Sequence, residues 1–319
     1  MEHLAYERTY AARQNKGAKM KRLIMVGACY LDTILSVPHF PEEDTKLRAT
    51  KMHVRRGGNC PNSLEVLQQL LAHDPEGQNV TTHLVSCLPN AQSPATATIQ
   101  ASFGPQSAVD FSRCIYRDDQ TEPASSFVLR SQATGSRTIV NHNGLAEMTV
   151  QEFVQAVDSF SGEEECWWHF EGRIPETTQK CIQHLREVRP RDKILVEVEK
   201  PDREGLRELA AEADVVFYSR SWAESQGYIK AEDCLKGEAP SQASIVLCTW
   251  GAEGACALSL PGGECWHCPV QGAERDFRVV DDDWIAERKL RLAVNLATAK
   301  VQIDGFEGLA AGLSLAAAS

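Results

Sequence analysis

The stretch Arg56-Gly-Gly-Asn59-Cys-Pro-Asn62-Ser carries the densest chemistry in the chain, because paired glycines and two asparagines open directly onto an apolar face of Leu64, Leu67, Leu70 and Leu71. Glycines let backbone approach a ligand closely, and a helix N-terminus offers free N–H donors to oxygen-rich groups. Gly58, Asn59 and Asn62 then fall near the first helical turn, where carboxamides donate to and accept from hydroxyls. A sugar suits this array better than a phosphate, since no Lys-Ser/Thr of a P-loop follows. The same residues read equally as a glycine turn with an asparagine N-cap. Asp32 follows the first apolar strand at its C-terminal end, where a carboxylate accepts two hydroxyl hydrogen bonds; the alternative is a turn aspartate. Gly251 and Gly254, in Trp250-Gly-Ala-Glu-Gly-Ala, could hold a nucleotide against backbone, although a tight turn is the plainer reading of a lone G-x-x-G.

Eleven cysteines, spread from Cys29 to Cys268 without a framework of spacings, read as the reduced thiols of a cytoplasmic protein. Cys265-Trp-His-Cys268 has C-x2-C spacing, but no second pair accompanies it, so no tetrahedral zinc set is expected.

The elements that must carry these residues follow from apolar patterning. Leu23-Ile-Met-Val-Gly27, Ile194 to Val198, Val215 to Phe217 and Ile245 to Cys248 are short apolar runs, the pattern of strands buried on both faces. Helical spacing lies between them: Phe153, Val154 and Val157 begin one face, while Thr178 to Val188 and Arg203 to Ala213 are amphipathic and proline-free. The alternation predicts βαβ units and a mostly parallel sheet covered on both faces, with ligands where loops leave the C-terminal strand ends. Segments 33–54 and 125–141 read instead as antiparallel excursions that could make a lid. The composition of Pro89 to Pro105 predicts a loop or weakly ordered helix.

At 319 residues, 43% hydrophobic and 24% charged, the chain has room for one large domain. Its 33 basic and 44 acidic residues give a net charge of −11, which disfavours binding to nucleic-acid phosphates. No apolar run has the length of a membrane span. Residues 1–20 are polar and mixed in charge, lack the apolar core of a secretory signal, and read as a disordered extension.

In order along 21–309, these motifs together with Gly135-Ser-Arg137-Thr-Ile, His169-Phe-Glu-Gly-Arg173 and Val196-Glu-Val-Glu-Lys200-Pro resemble the ribokinase-like (pfkB-type) carbohydrate kinases, and within them the ketohexokinase branch. The resemblance implies an α/β fold, a three-layer α/β/α sandwich with a small β-sheet lid, and an ATP-dependent kinase acting with Mg²⁺ on a ketose such as fructose. By position it implies that Asp32, Gly58, Asn59 and Asn62 bind the sugar, and that Arg137 contacts the transferred phosphate. Arg220, Gly251, Gly254 and Asn295 match the nucleotide side, and Glu171 and Glu197 stand near the metal, reached through water. Where the wider family often has Asn-x-x-Glu, this chain reads Ser219-Arg-Ser-Trp222. A homodimer through the lid is a further implication.

One family element is missing. After a stretch like Phe277-Arg-Val-Val-Asp281, members carry Thr-x-Gly-Ala-Gly-Asp-Thr-Phe at the start of a long helix, whose amides cradle the γ-phosphate and whose aspartate accepts the sugar's hydroxyl proton. This chain reads Asp281-Asp282-Asp283-Trp284 and runs directly into Leu290 to Ile303, which resembles the family's final helix; Gly-Ala-Gly-Asp occurs nowhere in it. Roughly two dozen residues, a loop plus a helix of four to five turns, are absent around 281–284. Impaired phosphoryl transfer follows as an expectation, with a catalytically dead sugar- or nucleotide-binding relative, or a mis-spliced and non-functional product, as alternatives. The last ten residues, 310–319, are a small apolar tail without evident chemistry.

Overall fold

Alternating apolar runs and amphipathic helices give, in the computed structural model, a nine-stranded sheet with helices on both faces and a four-stranded sheet beside it. The structure describes residues 20–74, 77–160, 164–260, 262–270, 286–303, 305–306 and 308–309. The extension expected over 1–20 (Met20 apart), the join at 281–284 and the tail at 310–319 lie outside them.

The first part of the chain forms β1 (Lys21–Val26), β2 (Tyr30–Val37), β3 (Lys51–Gly57), helix α1 (Asn59–His73), β4 (Val80–Val85) and β5 (Cys87–Pro89). There follow α2 (Pro94–Ala101), β6 (Val109–Asp110), β7 (Ile115–Arg117), β8 (Ser125–Ser131), β9 (Arg137–His142) and α3 (Val150–Asp158). The second half continues with β10 (Glu165–Glu171), α4 (Pro175–Val188), β11 (Lys193–Val198), α5 (Leu206–Ala211), β12 (Val215–Tyr218) and α6 (Arg220–Ser225). It closes with α7 (Ala231–Glu238), β13 (Ile245–Thr249), β14 (Ala255–Ser259), β15 (Cys265–Cys268) and α8 (Ala286–Val301).

The large sheet runs β15-β14-β13-β12-β11-β10-β1-β4-β6. Its pairs from β6 to β13 are parallel, and β14 and β15 add an antiparallel edge. One face is fully buried: Ile24, Trp168, Val196, Val216 and Val246 lie in a single cluster with side chains of α3 to α7. Each such side chain contributes about 1.5–3 kcal/mol on leaving water. The other face is covered unevenly. There α1 packs on β1, β4 and β10, and α8 on β14 and β15. Leu195 and Phe217, on strands between those two helices, stay half-buried while Val196 and Val216 beside them are inaccessible to solvent.

The lid departs from the expectation in one respect. β2 pairs antiparallel with β3 and β8 with β9, but β2 and β8 pair parallel, Leu31 opposite Ser125. Two hairpins that leave the main sheet in the same direction bring their first strands together running alike. The stretch 89–105 is also better ordered than its composition suggested: the Ser93 hydroxyl accepts from Thr96 N and Pro94 opens α2, the two ordinary signals of a helix start. Helix α5 begins later than its amphipathic pattern, at Leu206, because Gly205 adopts a left-handed conformation (φ 83°).

Candidate functional site

Three strand ends converge at the C-terminal edge of the large sheet. After β1 the chain turns through Gly27-Ala28, and the Glu171 carboxylate at the end of β10 accepts from Ala28 N at 2.9 Å. A Cβ on Gly27 would stand 2.6 Å from Cys60 Sγ and 2.8 Å from Glu171 Oε2, so only glycine lets α1 and β10 close on this turn. Gly58, with φ 106°, is pressed on the same turn: its Cβ would lie 2.2 Å from Ala28 O. These contacts place the start of α1 over the end of β1.

The residues expected to bind a sugar assemble there. Asp32, on β2, lies against Gly57, where a Cβ would be 2.3 Å from Asp32 Oδ2. Asn59 donates through Nδ2 to Glu197 Oε2 and Glu199 Oε2, both at 3.0 Å. His169 Nε2 bonds Glu197 Oε1 at 2.9 Å. Asn62 Oδ1 accepts from Arg56 Nη1 at 3.2 Å. Arg56 is itself almost wholly buried, donating to Ser102 Oγ at 3.0 Å and paired with Glu65, with its guanidinium 4.0 Å from the Phe103 ring centroid. Residues 32, 58, 59 and 62 therefore share one locality. A partly open cavity bordered by Gly27, Ala28, Glu171 and Arg173 is about 40 Å³, room for a few waters rather than a hexose.

Glu171 and Glu197 face each other in register on β10 and β11 but titrate oppositely. Burial raises the Glu171 carboxyl, only partly offset by the Ala28 N–H. Burial also opposes ionisation of Glu197, yet its bonds to His169 and Asn59 hold it below the usual carboxylate range. Magnesium in phosphoryl transfer keeps several waters and takes one or two carboxylates. Two carboxyl groups side by side at adjacent strand ends, each with lone pairs left over, fit a hydrated ion of that kind.

Three of the residues expected to bind a nucleotide, Arg220, Gly251 and Gly254, collect at a second point along the same edge. Trp250 to Gly254 form a tight turn after β13, closed by Trp250 N to Gly254 O at 2.7 Å. Gly254 (φ 100°) is required by packing, since its Cβ would be 2.0 Å from Cys268 O. Gly251 (φ 59°) is different: its Cβ would meet only Arg220 Nη1, 3.8 Å away, leaving open space above the turn. The Arg220 guanidinium sits 5.4 Å from the Trp250 ring centroid, bonds Glu224 at 2.7 Å and lies 3.8 Å from Glu253. That open, aromatic-backed turn has the shape to receive a flat base.

Two predicted residues are not drawn into these groups. Arg137 begins β9 on the exposed lid, paired in the ladder with Arg130, and its side chain makes no hydrogen bond or ion pair with another described residue. Asn295 is half-buried on α8, whose Leu290 and Val294 pack on Ala255 and Ala257 of β14, the strand that leaves the Trp250–Gly254 turn. Arg56, His169, Glu199 and Glu253 also contribute, though the motifs assign them no role. Glu199 has a sequence signal, because Glu197 and Glu199 are two apart where β11 ends and so leave on the same side.

No protein-family model matches the chain. It is 29% identical to mouse ketohexokinase over 316 residues, covering 91% of this chain and 99% of that protein. Among solved structures, Arabidopsis thaliana ribokinase complexed with ribose and ATP matches with a TM-score of 0.62 at 16% identity, over 92% of this chain and 89% of the other. The chain is thus similar in sequence to a ketohexokinase and in fold to the ribokinase-like carbohydrate kinases. Escherichia coli phosphofructokinase-2 in complex with fructose-6-phosphate shares the fold as well, with a TM-score of 0.60 at 14% identity over 92% of this chain and 97% of the other. The α/β/α sandwich with its lid is accordingly the ribokinase-like fold. No helix among the described residues is long and apolar enough to cross a membrane.

Proposed function

We propose that this chain is a ribokinase-like carbohydrate kinase by descent that binds a ketose such as fructose, with Asp32, Gly58, Asn59 and Asn62 as the sugar contacts, and ATP at the turn formed by Gly251 and Gly254 beside Arg220, with Asn295 on the same flank. Arg137 arrives with the lid and contacts the phosphate to be transferred. Mg²⁺, reached through water from Glu171 and Glu197, would neutralise charge on the phosphates when bound. The reaction class is phosphoryl transfer from ATP to a sugar hydroxyl, of the ketohexokinase type, in the cytoplasm.

We further propose that this chain transfers the phosphoryl group poorly or not at all. The observation that carries this is the absence of Gly-Ala-Gly-Asp from the sequence, against sugar-side residues that are all present and gathered at one strand-end locality. Phosphoryl transfer rests on positioning and charge stabilisation, and loss of a single oxyanion donor already costs about 10²–10³ in rate. Here the glycine amides and the base are missing together. The half-buried Leu195 and Phe217, between two helices that cover the same face, agree with a missing helix there. Asp281, Asp282 and Asp283 come without a glycine loop and are not assigned the base's role.

A non-catalytic binding relative is the second reading, and the assembled Asp32–Asn59–Asn62 group favours it over a defective product. Calorimetric titration with fructose and then ADP tests binding directly. Saturable heats for both ligands support the proposal, and a folded chain that binds neither contradicts it.

The lid supports a homodimer. Val54, Phe127 and Val140 share one register row with Thr33 across its four strands and are 47%, 49% and 61% exposed, an apolar row that a second copy would cover.

A further inference from the structure

We propose that the two asparagines of the sugar site are held with opposite polarity, Asn59 as a pure acceptor and Asn62 as a pure donor, by charged groups behind them. The proposal rests on the sugar-site reading above and assigns Arg56 and Glu199 as positioning residues.

A free carboxamide can present either end, because its oxygen and nitrogen have nearly the same shape. Asn59 has no such freedom here. Its two Nδ2 protons are directed at Glu197 Oε2 and Glu199 Oε2, each at 3.0 Å. Reversing the amide would set its oxygen against two carboxylate oxygens, losing two charge-assisted bonds and adding repulsion. Oδ1 has no bond to another described residue and is the end left for a ligand. Glu197 is itself fixed from behind by His169.

Asn62 is the mirror case. Its Oδ1 accepts from Arg56 Nη1 at 3.2 Å, and reversal would oppose an NH₂ to a guanidinium. Arg56 cannot turn to accommodate this: it is 4% exposed, bonded to Ser102 and Glu65 and stacked on Phe103. The Nδ2 of Asn62 is therefore the end left for a ligand. The pair presents a carbonyl and an NH₂ one helical turn apart, which matches a polyol with one hydroxyl donating to Asn59 and another accepting from Asn62. An anion is disfavoured at Asn59, where two carboxylates stand behind the amide.

The test uses the full chain, D-fructose and D-ribose as probes, calorimetric affinities and denaturation midpoints. Asn62→Asp keeps and strengthens the Arg56 contact but cannot donate. Affinity should fall about tenfold or more with the midpoint unchanged or higher, a separation that general misfolding does not produce. Glu199→Met releases one Asn59 proton and should weaken binding severalfold, whereas Glu199→Gln keeps an acceptor and should restore it. Asn62→Asp binding sugar as the parent does would overturn the polarity assignment alone. Glu199→Met without effect, or Glu199→Gln failing to rescue, would overturn the role of Glu199. A parent chain that bound neither sugar would overturn the sugar-site reading and this inference with it.

Discussion

Gly58→Ala should break the site through backbone geometry alone. Gly58 sits at φ 106°, ψ 144°, a region essentially restricted to glycine, where an L-residue costs on the order of 1–3 kcal/mol. Its new Cβ would also be 2.2 Å from Ala28 O, a backbone atom that cannot rotate away. Gly104 isolates the first effect, since it has φ 91° and nothing within 4 Å of its Cβ position. Gly104→Ala should therefore cost only the conformational part, about 1–2 kcal/mol. Gly58→Ala should cost that plus displacement of the β1–α1 contact, about 3–5 kcal/mol in all, with a fall in melting temperature of very roughly 6–20 °C for a domain of this size. Urea denaturation with a constant m-value measures the two costs, and fructose calorimetry follows the site. Fructose affinity should be lost in Gly58→Ala and kept in Gly104→Ala. Equal destabilisation of the two variants would refute the claim that Gly58 is pinned against Ala28.

Other expectations are as concrete. Glu152 caps α3 and bonds Arg117, which together hold its carboxyl at about 2 against an ordinary 4.5. A depressed folded-state value means stability that is complete above the unfolded-state value and is lost as pH falls from about 4.5 toward 2. Glu152→Gln should lower the urea midpoint at pH 7, where that stabilisation is fully present, and converge with the parent as pH approaches 2, so that the acid limb flattens. Val140→Glu with Phe127→Glu should leave the monomer folded and shift sedimentation from dimer to monomer; an unchanged mass would exclude the lid as the interface. Arg220→Ala, removing the cation over Trp250, should weaken ADP by severalfold to about tenfold and leave fructose binding alone, as read by calorimetry.

Much of this architecture is legible in the chain because burial on both faces writes itself as unbroken apolar runs. Leu23 to Val26 and Ile194 to Val198 are readable as strands for that reason, and they are neighbours of β10 in the sheet. The parallel pairing of β2 with β8 is not legible, since local patterning identifies a strand but says nothing of which distant strand it meets. The same limit applies to the site. Asn59 and Asn62 stand out by type and spacing, but which end of each amide faces a ligand depends on Glu199 and Arg56, and Glu199 is 140 positions from Asn59. The motif marks Gly254 as a nucleotide residue, yet packing on β15 fixes it as well, whereas Gly251 faces open space. The sequence difference that matters most, a missing Gly-Ala-Gly-Asp, is visible only as an omission within an otherwise ordered series of motifs.

The most direct measurement is steady-state ATP consumption by the purified chain with saturating fructose and Mg²⁺, run on protein for which calorimetry has measured fructose binding. The account predicts bound sugar with turnover at least 10³-fold below the 1–100 s⁻¹ typical of kinases. Fructose-dependent turnover within that ordinary range would contradict it, because phosphoryl transfer would then be proceeding without the glycine amides and base to which the impairment is attributed.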